Sequence, residues 1–200
     1  MYLVGLTGGI AAGKTAVAAR WVELGAIEID ADVLAREAVA VGTDGLSKVA
    51  ETFGSNVILP DGSLDRAALA AVVFTDPKKR EQLEAIVHPK VRHLAAERLS
   101  VLPPDSIVVY TVPLLVEADV TLPFDKVVTV EAPEQVRIER LIETRGLSEI
   151  EARARIRNQA SAAERANRAD VILNSNQSLQ LLLKDAETLW KQIVREASEK

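Results

Sequence analysis

Between Gly8 and Thr15 the chain reads Gly-Gly-Ile-Ala-Ala-Gly-Lys-Thr, two bracketing glycines at Gly8 and Gly13 followed by a lysine and a hydroxyl. These residue types at this spacing suit one kind of chemistry. Glycines let successive backbone N–H groups converge on phosphate oxygens, the ammonium of Lys14 reaches the outer phosphates, and Thr15 offers a hydroxyl to Mg²⁺. Gly8, Gly9, Ala11, Ala12, Gly13, Lys14, Thr15 and Ala16 are therefore the expected nucleotide-binding residues, with ATP as the donor and Thr15 as the metal ligand. Ala11 stands where a positive φ would strain any residue but glycine.

Such a loop works only between a buried strand and a helix, and the flanks supply both. Tyr2 to Thr7 is apolar, and Val17, Ala18, Trp21 and Val22 fall at helical spacing before Gly25. Ala26 to Ile29 reads as a second strand that delivers Asp30 at its carboxyl end beside the loop. A carboxylate there can orient an acceptor hydroxyl and take its proton, the reading favoured here, with an N-cap for a following helix as the alternative. Asp32 is either a second acceptor-site carboxylate or a first-turn acid favoured by the helix dipole.

From Ala31 to Pro104 the pattern is helical. Helices are expected after Asp30, over Leu46–Phe53, from Asp65 to Phe74, and from Asp76-Pro77 until Pro89 breaks or bends the chain near His88. Strand patterns return at Ile107–Val112 and Lys126–Val130. A helix opened by Pro133 follows, then a capping box at Ser148 and Glu151, a short strand at Val171–Leu173, and a terminal helix from Ser178. Arg137, Arg140, Arg145, Arg153, Arg155, Arg157, Arg165 and Arg168 carry more than half of the chain's arginine. They suit a lid whose guanidinium groups grip phosphoryl oxygens, Arg140 and Arg145 leading, or a solvated face of ion pairs.

Alternating strands and helices imply an α/β fold: a P-loop NTPase-like parallel five-stranded sheet with helices on both faces. One domain over 1–200 is expected, its core formed by 1–30, 105–132 and 169–200, with a helical acceptor-binding insertion at 31–104 and an arginine-rich lid at 133–168. The net charge of −5 argues against nucleic-acid binding. Cysteine is absent and only His88 and His93 are present, which excludes thiolate metal sites. No apolar run reaches membrane-spanning length and no leader precedes the first strand, so a cytoplasmic monomer or small homo-oligomer is expected.

Neither a guanine-reading Asn-Lys-x-Asp motif nor a strand ending in a Walker B acid is present, which turns the reading toward small-molecule kinases. Five segments then fall in one order: TGGIAAGKT, IDAD at Ile29–Asp32 with Arg36 after it, His88-Pro89, VPLLVE at Val112–Glu117, and ADVILN at Ala169–Asn174. The series resembles that of the dephospho-CoA kinases over essentially the whole chain. The resemblance implies transfer of the γ-phosphoryl of ATP to the ribose 3′-hydroxyl of dephospho-CoA. With that reaction, Asp30, Lys14 and Arg140 are expected as catalytic residues, and Asp32, Arg36, His88, Pro113, Leu114 and Leu115 at the acceptor. Arg145 and Asn174 fall at the nucleotide, the latter where related folds hold adenine. Against this, His88 also reads as a helix end, Asn174 as a turn residue, and the leucines as core. Thr111 replaces an acid frequent in that pattern. A kinase of another small acceptor, such as a nucleoside monophosphate or a shikimate-like alcohol, and a regulatory ATPase are the alternatives.

Overall fold

The structure is a computed structural model, and it describes residues 1–74, 76–112, 115 and 122–200. The chain divides into two compact units, one of residues 1–30 and 103–200 and one of residues 31–102.

The first unit is built on five parallel strands, β1 (Tyr2–Gly8), β2 (Ile27–Asp30), β3 (Ile107–Thr111), β4 (Lys126–Glu131) and β5 (Val171–Asn174), in the order β2-β3-β1-β4-β5. Every residue of β1 is buried, as expected of a central strand covered on both faces. Helices α1 (Lys14–Glu23) and α9 (Leu179–Ser198) pack together over a core that joins Val4, Leu6, Val17, Trp21, Val128, Trp190 and Ile193. Trp21 and Trp190 lie with ring centroids 6.1 Å apart, and the Trp21 indole donates to the Ala186 carbonyl at 2.8 Å. Full burial of side chains this size contributes about 1.5–3 kcal/mol each.

In this order β2 does not border β1. The βαβ connection passes over a position that β3 fills, so Thr111 pairs in register with Leu6 on one side and Asp30 on the other. The carboxyl ends of β1, β3 and β2 therefore finish at one level. Three further helices, α6 (Glu134–Arg145), α7 (Glu149–Arg157) and α8 (Ala162–Arg168), connect β4 to β5. Both α7 and α8 open on capping boxes, Ser148 with Glu151 and Ser161 with Glu164.

The second unit holds α2 (Ala31–Glu37), α3 (Asp44–Phe53), a 3-10 turn at Ser55–Val57, α4 (Arg66–Phe74) and α5 (Pro77–Ser100). Its own core gathers Val39, Leu46, Val49, Val57, Leu64 and Leu69, with Leu83, Ile86 and Val87 packed on it. Asp76 caps α5, accepting from the amides of Lys78 and Lys79. Of the two outcomes expected at Pro89, a break does not occur: α5 spans 24 residues with Pro89 inside it. An interior proline costs about 3 kcal/mol, and the packing of α5 against α2, α3 and α4 outweighs that. Phe74 is 76% exposed at the end of α4.

Candidate active site

The loop after β1 turns as its glycines require. Gly8 lies alongside Val130, and a Cβ there would stand 2.5 Å from the Val130 carbonyl oxygen. Ala11 adopts φ 60°, the left-handed conformation that its place in the loop threatened. Gly13 enters the head of α1 at φ 101° with no side-chain cap, so the amides of Lys14 and Thr15 have no preceding turn to bond. Lys14 is half-buried, Thr15 exposed. Ala12 is fully buried, and the amide of Ala16 already donates to Gly13. Ala12 thus offers a ligand only backbone.

A second layer braces the loop. Gln159 accepts from the Ile10 amide at 2.7 Å, and the Ser175 hydroxyl donates to the Ala12 carbonyl. Arg140 donates from Nη1 to the Ala11 carbonyl at 3.2 Å and to the Ser175 hydroxyl at 3.1 Å, and from Nη2 to the Ser175 carbonyl at 2.7 Å. The fixed fork of a guanidinium suits this double bridge, and it holds Ala11 in its strained conformation. These donors are engaged with the loop and the end of β5, which places Arg140 as a brace. Ile138, Leu141, Ala152 and Ile156 form an apolar cluster on which Ile10 and Ala11 of the loop pack, so α6 and α7 seat on the phosphate loop itself.

Behind the loop lie two buried arginines. Arg165, 1% exposed, sends Nε and Nη2 to the two oxygens of Glu131 at 2.6 and 2.7 Å and Nη1 to the Ala160 carbonyl. Arg137, 6% exposed, lies beside it. Sequence reasoning grouped both with the lid arginines and did not mark Gln159 at all. The signal that was present is Gly9: the loop pattern leaves that position open, and a glycine there points to a side chain pressing close.

Asp30 ends β2 level with Thr111, half-buried. Burial, and after it the Asp30 carboxylate, push the Tyr110 hydroxyl above its ordinary pKa. The Thr111 hydroxyl donates to Glu28 at 3.0 Å, so Thr111 ties a carboxylate of β2 to β3. Asn174 accepts from the Asn176 amide, the turn role, while Arg145 ends α6 in solvent. Arg153 forms surface ion pairs with Glu149 and Glu134. In the second unit Asp32 and Arg36 are exposed on α2 and His88 is half-buried on α5. Leu115 is 2% exposed, a core residue. Pro113 and Leu114 lie outside the described residues. Among the described residues no three His, Cys, Asp or Glu side chains gather as a metal site, and no helix is long and apolar enough to cross a membrane.

A family model for dephospho-CoA kinase matches residues 2–180. Relatives named dephospho-CoA kinase include one from Leifsonia xyli subsp. xyli, 45% identical over 95% of this chain and 98% of its own length. Another, from Streptomyces avermitilis, is 44% identical over 98% and 96%. One from Mycolicibacterium paratuberculosis is 46% identical over 96% of this chain but 47% of its own, so the chain spans about half the length of the mycobacterial relatives it matches. A crystal structure from Thermus thermophilus superposes with a TM-score of 0.83 at 34% identity, over 96% and 97% of the two chains. The dephospho-CoA kinase of Campylobacter jejuni shares the fold, with a TM-score of 0.65 at 24% identity over 96% of each chain. With this loop at the end of the central strand and these relatives along nearly its whole length, the chain belongs to the dephospho-CoA kinase family.

Proposed function

We propose that the chain transfers the γ-phosphoryl group of ATP to the ribose 3′-hydroxyl of dephospho-CoA, giving CoA and ADP, with the residues at the carboxyl end of the sheet in the following roles. The amides at the head of α1 and the Lys14 ammonium hold the triphosphate tail. Asp30 orients the 3′-hydroxyl and accepts its proton as the new O–P bond forms and the bond to the β-phosphate oxygen breaks. Arg140 braces the loop in its binding conformation, and Arg145 reaches the nucleotide from the end of α6. Asn174 borders the adenine. Asp32, Arg36 and His88 of the helical unit, with the Pro113–Leu115 segment, receive the acceptor.

Thr15, the nucleotide phosphates and water would hold Mg²⁺, an ion that keeps much of its hydration and needs no cage of protein carboxylates. When bound it neutralises phosphate charge. The observation that carries the reading is the glycine loop with Lys14 at the end of β1, at one sheet edge with Asp30. Measuring ADP release with dephospho-CoA, shikimate and nucleoside monophosphates in turn tests it. Turnover with dephospho-CoA alone is expected, falling by about 10³-fold or more in Lys14→Ala. Equal turnover across the panel, or with no acceptor, sinks it in favour of another kinase or an ATPase.

A further inference from the structure

Arg137 is interior, yet its Nε and Nη1 hydrogens meet no acceptor. Buried guanidinium donors are costly to leave unused, and Arg165 beside it shows the satisfied arrangement, with its donors divided between Glu131 and the Ala160 carbonyl. Two buried cations thus share one carboxylate, and that carboxylate is engaged by Arg165. Burial first, then repulsion from Arg165, lower the Arg137 pKa, with Glu131 and Glu134 pulling the other way.

The unspent charge lies directly against the phosphate loop. A Cβ on Gly9 would stand 2.4 Å from Nη1 of Arg137 and 3.0 Å from Nη2 of Arg165. Only a residue without a side chain admits both guanidinium groups here. The amides at the head of α1 cradle the inner phosphates and Lys14 reaches the outer ones, and a cation behind Gly9 adds its field to that of Lys14 there. Water is excluded around Nη1, so its field is weakly screened.

We propose that Arg137 is a positioning residue for the outermost phosphate, a buried cation behind Gly9 through which the loop prefers a nucleoside triphosphate to a diphosphate. It acts through the loop, without touching the nucleotide. The inference rests on the nucleotide-site reading above and goes beyond it by naming what discriminates donor from product.

Calorimetric titration with Mg²⁺–ADP and with the Mg²⁺ complex of the β,γ-imido analogue of ATP tests it on wild type, Arg137→Met and Arg137→Lys. Arg137→Met is expected to weaken the triphosphate analogue about tenfold and ADP less than about twofold. Its Tm should equal or exceed that of wild type, because an unpaired interior charge has been removed. Arg137→Lys, which keeps the charge, should keep most of the preference. Equal loss of both nucleotides, no loss of either, or loss of preference in Arg137→Lys as complete as in Arg137→Met overturns the proposal. If Arg137→Met does not fold, the Lys variant decides: a retained preference supports the proposal and a lost one overturns it. Wild type that binds neither nucleotide would instead remove the nucleotide-site reading itself.

Discussion

The two ends of the same sheet treat polar groups in opposite ways. At the amino end the charges are matched within the protein: Glu196 receives Lys126 at 2.6 Å, Tyr2 and Gln192, while Asp125 takes the Leu3 amide and Lys200. At the carboxyl end Ala11 is held at a positive φ, helix-head amides lack an intrahelical partner, and Arg137 keeps two buried donors unused. A protein that can pair its charges so completely at one end has no general need to leave them unpaired at the other. The difference is what the proposed function requires, an end left ready for an anion from outside, with its strain offset by the braces from Gln159, Arg140 and Ser175.

If this contrast is right, substitutions at the carboxyl end should separate activity from stability. The largest separation is expected at Asp30. Asparagine caps helices about as well as aspartate, so Asp30→Asn keeps any capping role while removing the base. Turnover should fall by about 10²- to 10⁴-fold with Tm unchanged. A variant that loses Tm and little turnover would make Asp30 structural and erase the contrast at that point.

Arg140 should fall between the two ends in its behaviour, because it is both a structural tie and part of the loop's shape. Arg140→Ala removes its bonds to the Ala11 carbonyl and to Ser175. Calorimetry should report ADP and a triphosphate analogue weakened alike, by about tenfold, and melting should report a loss of roughly 2–4 °C. Arg140→Lys should not restore either property, since one ammonium cannot span both acceptors as a fork does. Selective loss of the triphosphate alone would give Arg140 the role assigned to Arg137.

Much of this organisation is legible in the residues alone, and the exceptions have a common cause. The loop, the Ser148–Glu151 box and the Asp76-Pro77 helix start are local signals whose partners lie within a few residues, and each forms as read. Pro89 is a local signal that tertiary packing overrides. The arginines of residues 137–168 look alike in sequence, yet Arg153 is a surface ion pair, Arg165 a buried one, Arg140 a brace and Arg137 a buried cation with unused donors. What distinguishes them is contact with Gly9, Ala11 and Glu131, which come from segments far along the chain. Strand order is hidden for the same reason: nothing between Asp30 and Ile107 announces that β3 inserts between β1 and β2.

The smallest expected effect belongs to the amino end, and it should touch stability only. Hydrogen bonds from Lys126, Tyr2 and Gln192 bring the Glu196 pKa from the usual carboxylate value down to about 2. A carboxylate whose folded pKa is depressed stabilises the fold fully above its unfolded value, near 4.5, and that stability fades as pH falls toward 2. Glu196→Gln removes the charge at every pH and leaves the largely buried Lys126 ammonium without its partner. Its Tm should therefore lie roughly 3 °C below wild type at pH 7, with the gap closing as acid protonates Glu196 in the wild type. Turnover with dephospho-CoA at pH 7 should be unchanged below the melting range, because Glu196 lies at the other end of the sheet from Lys14 and Asp30. A Tm gap that persists unchanged to pH 3 would show that packing and not charge pairing holds this end, and a loss of turnover would mean that the two ends are coupled through β1 and α9.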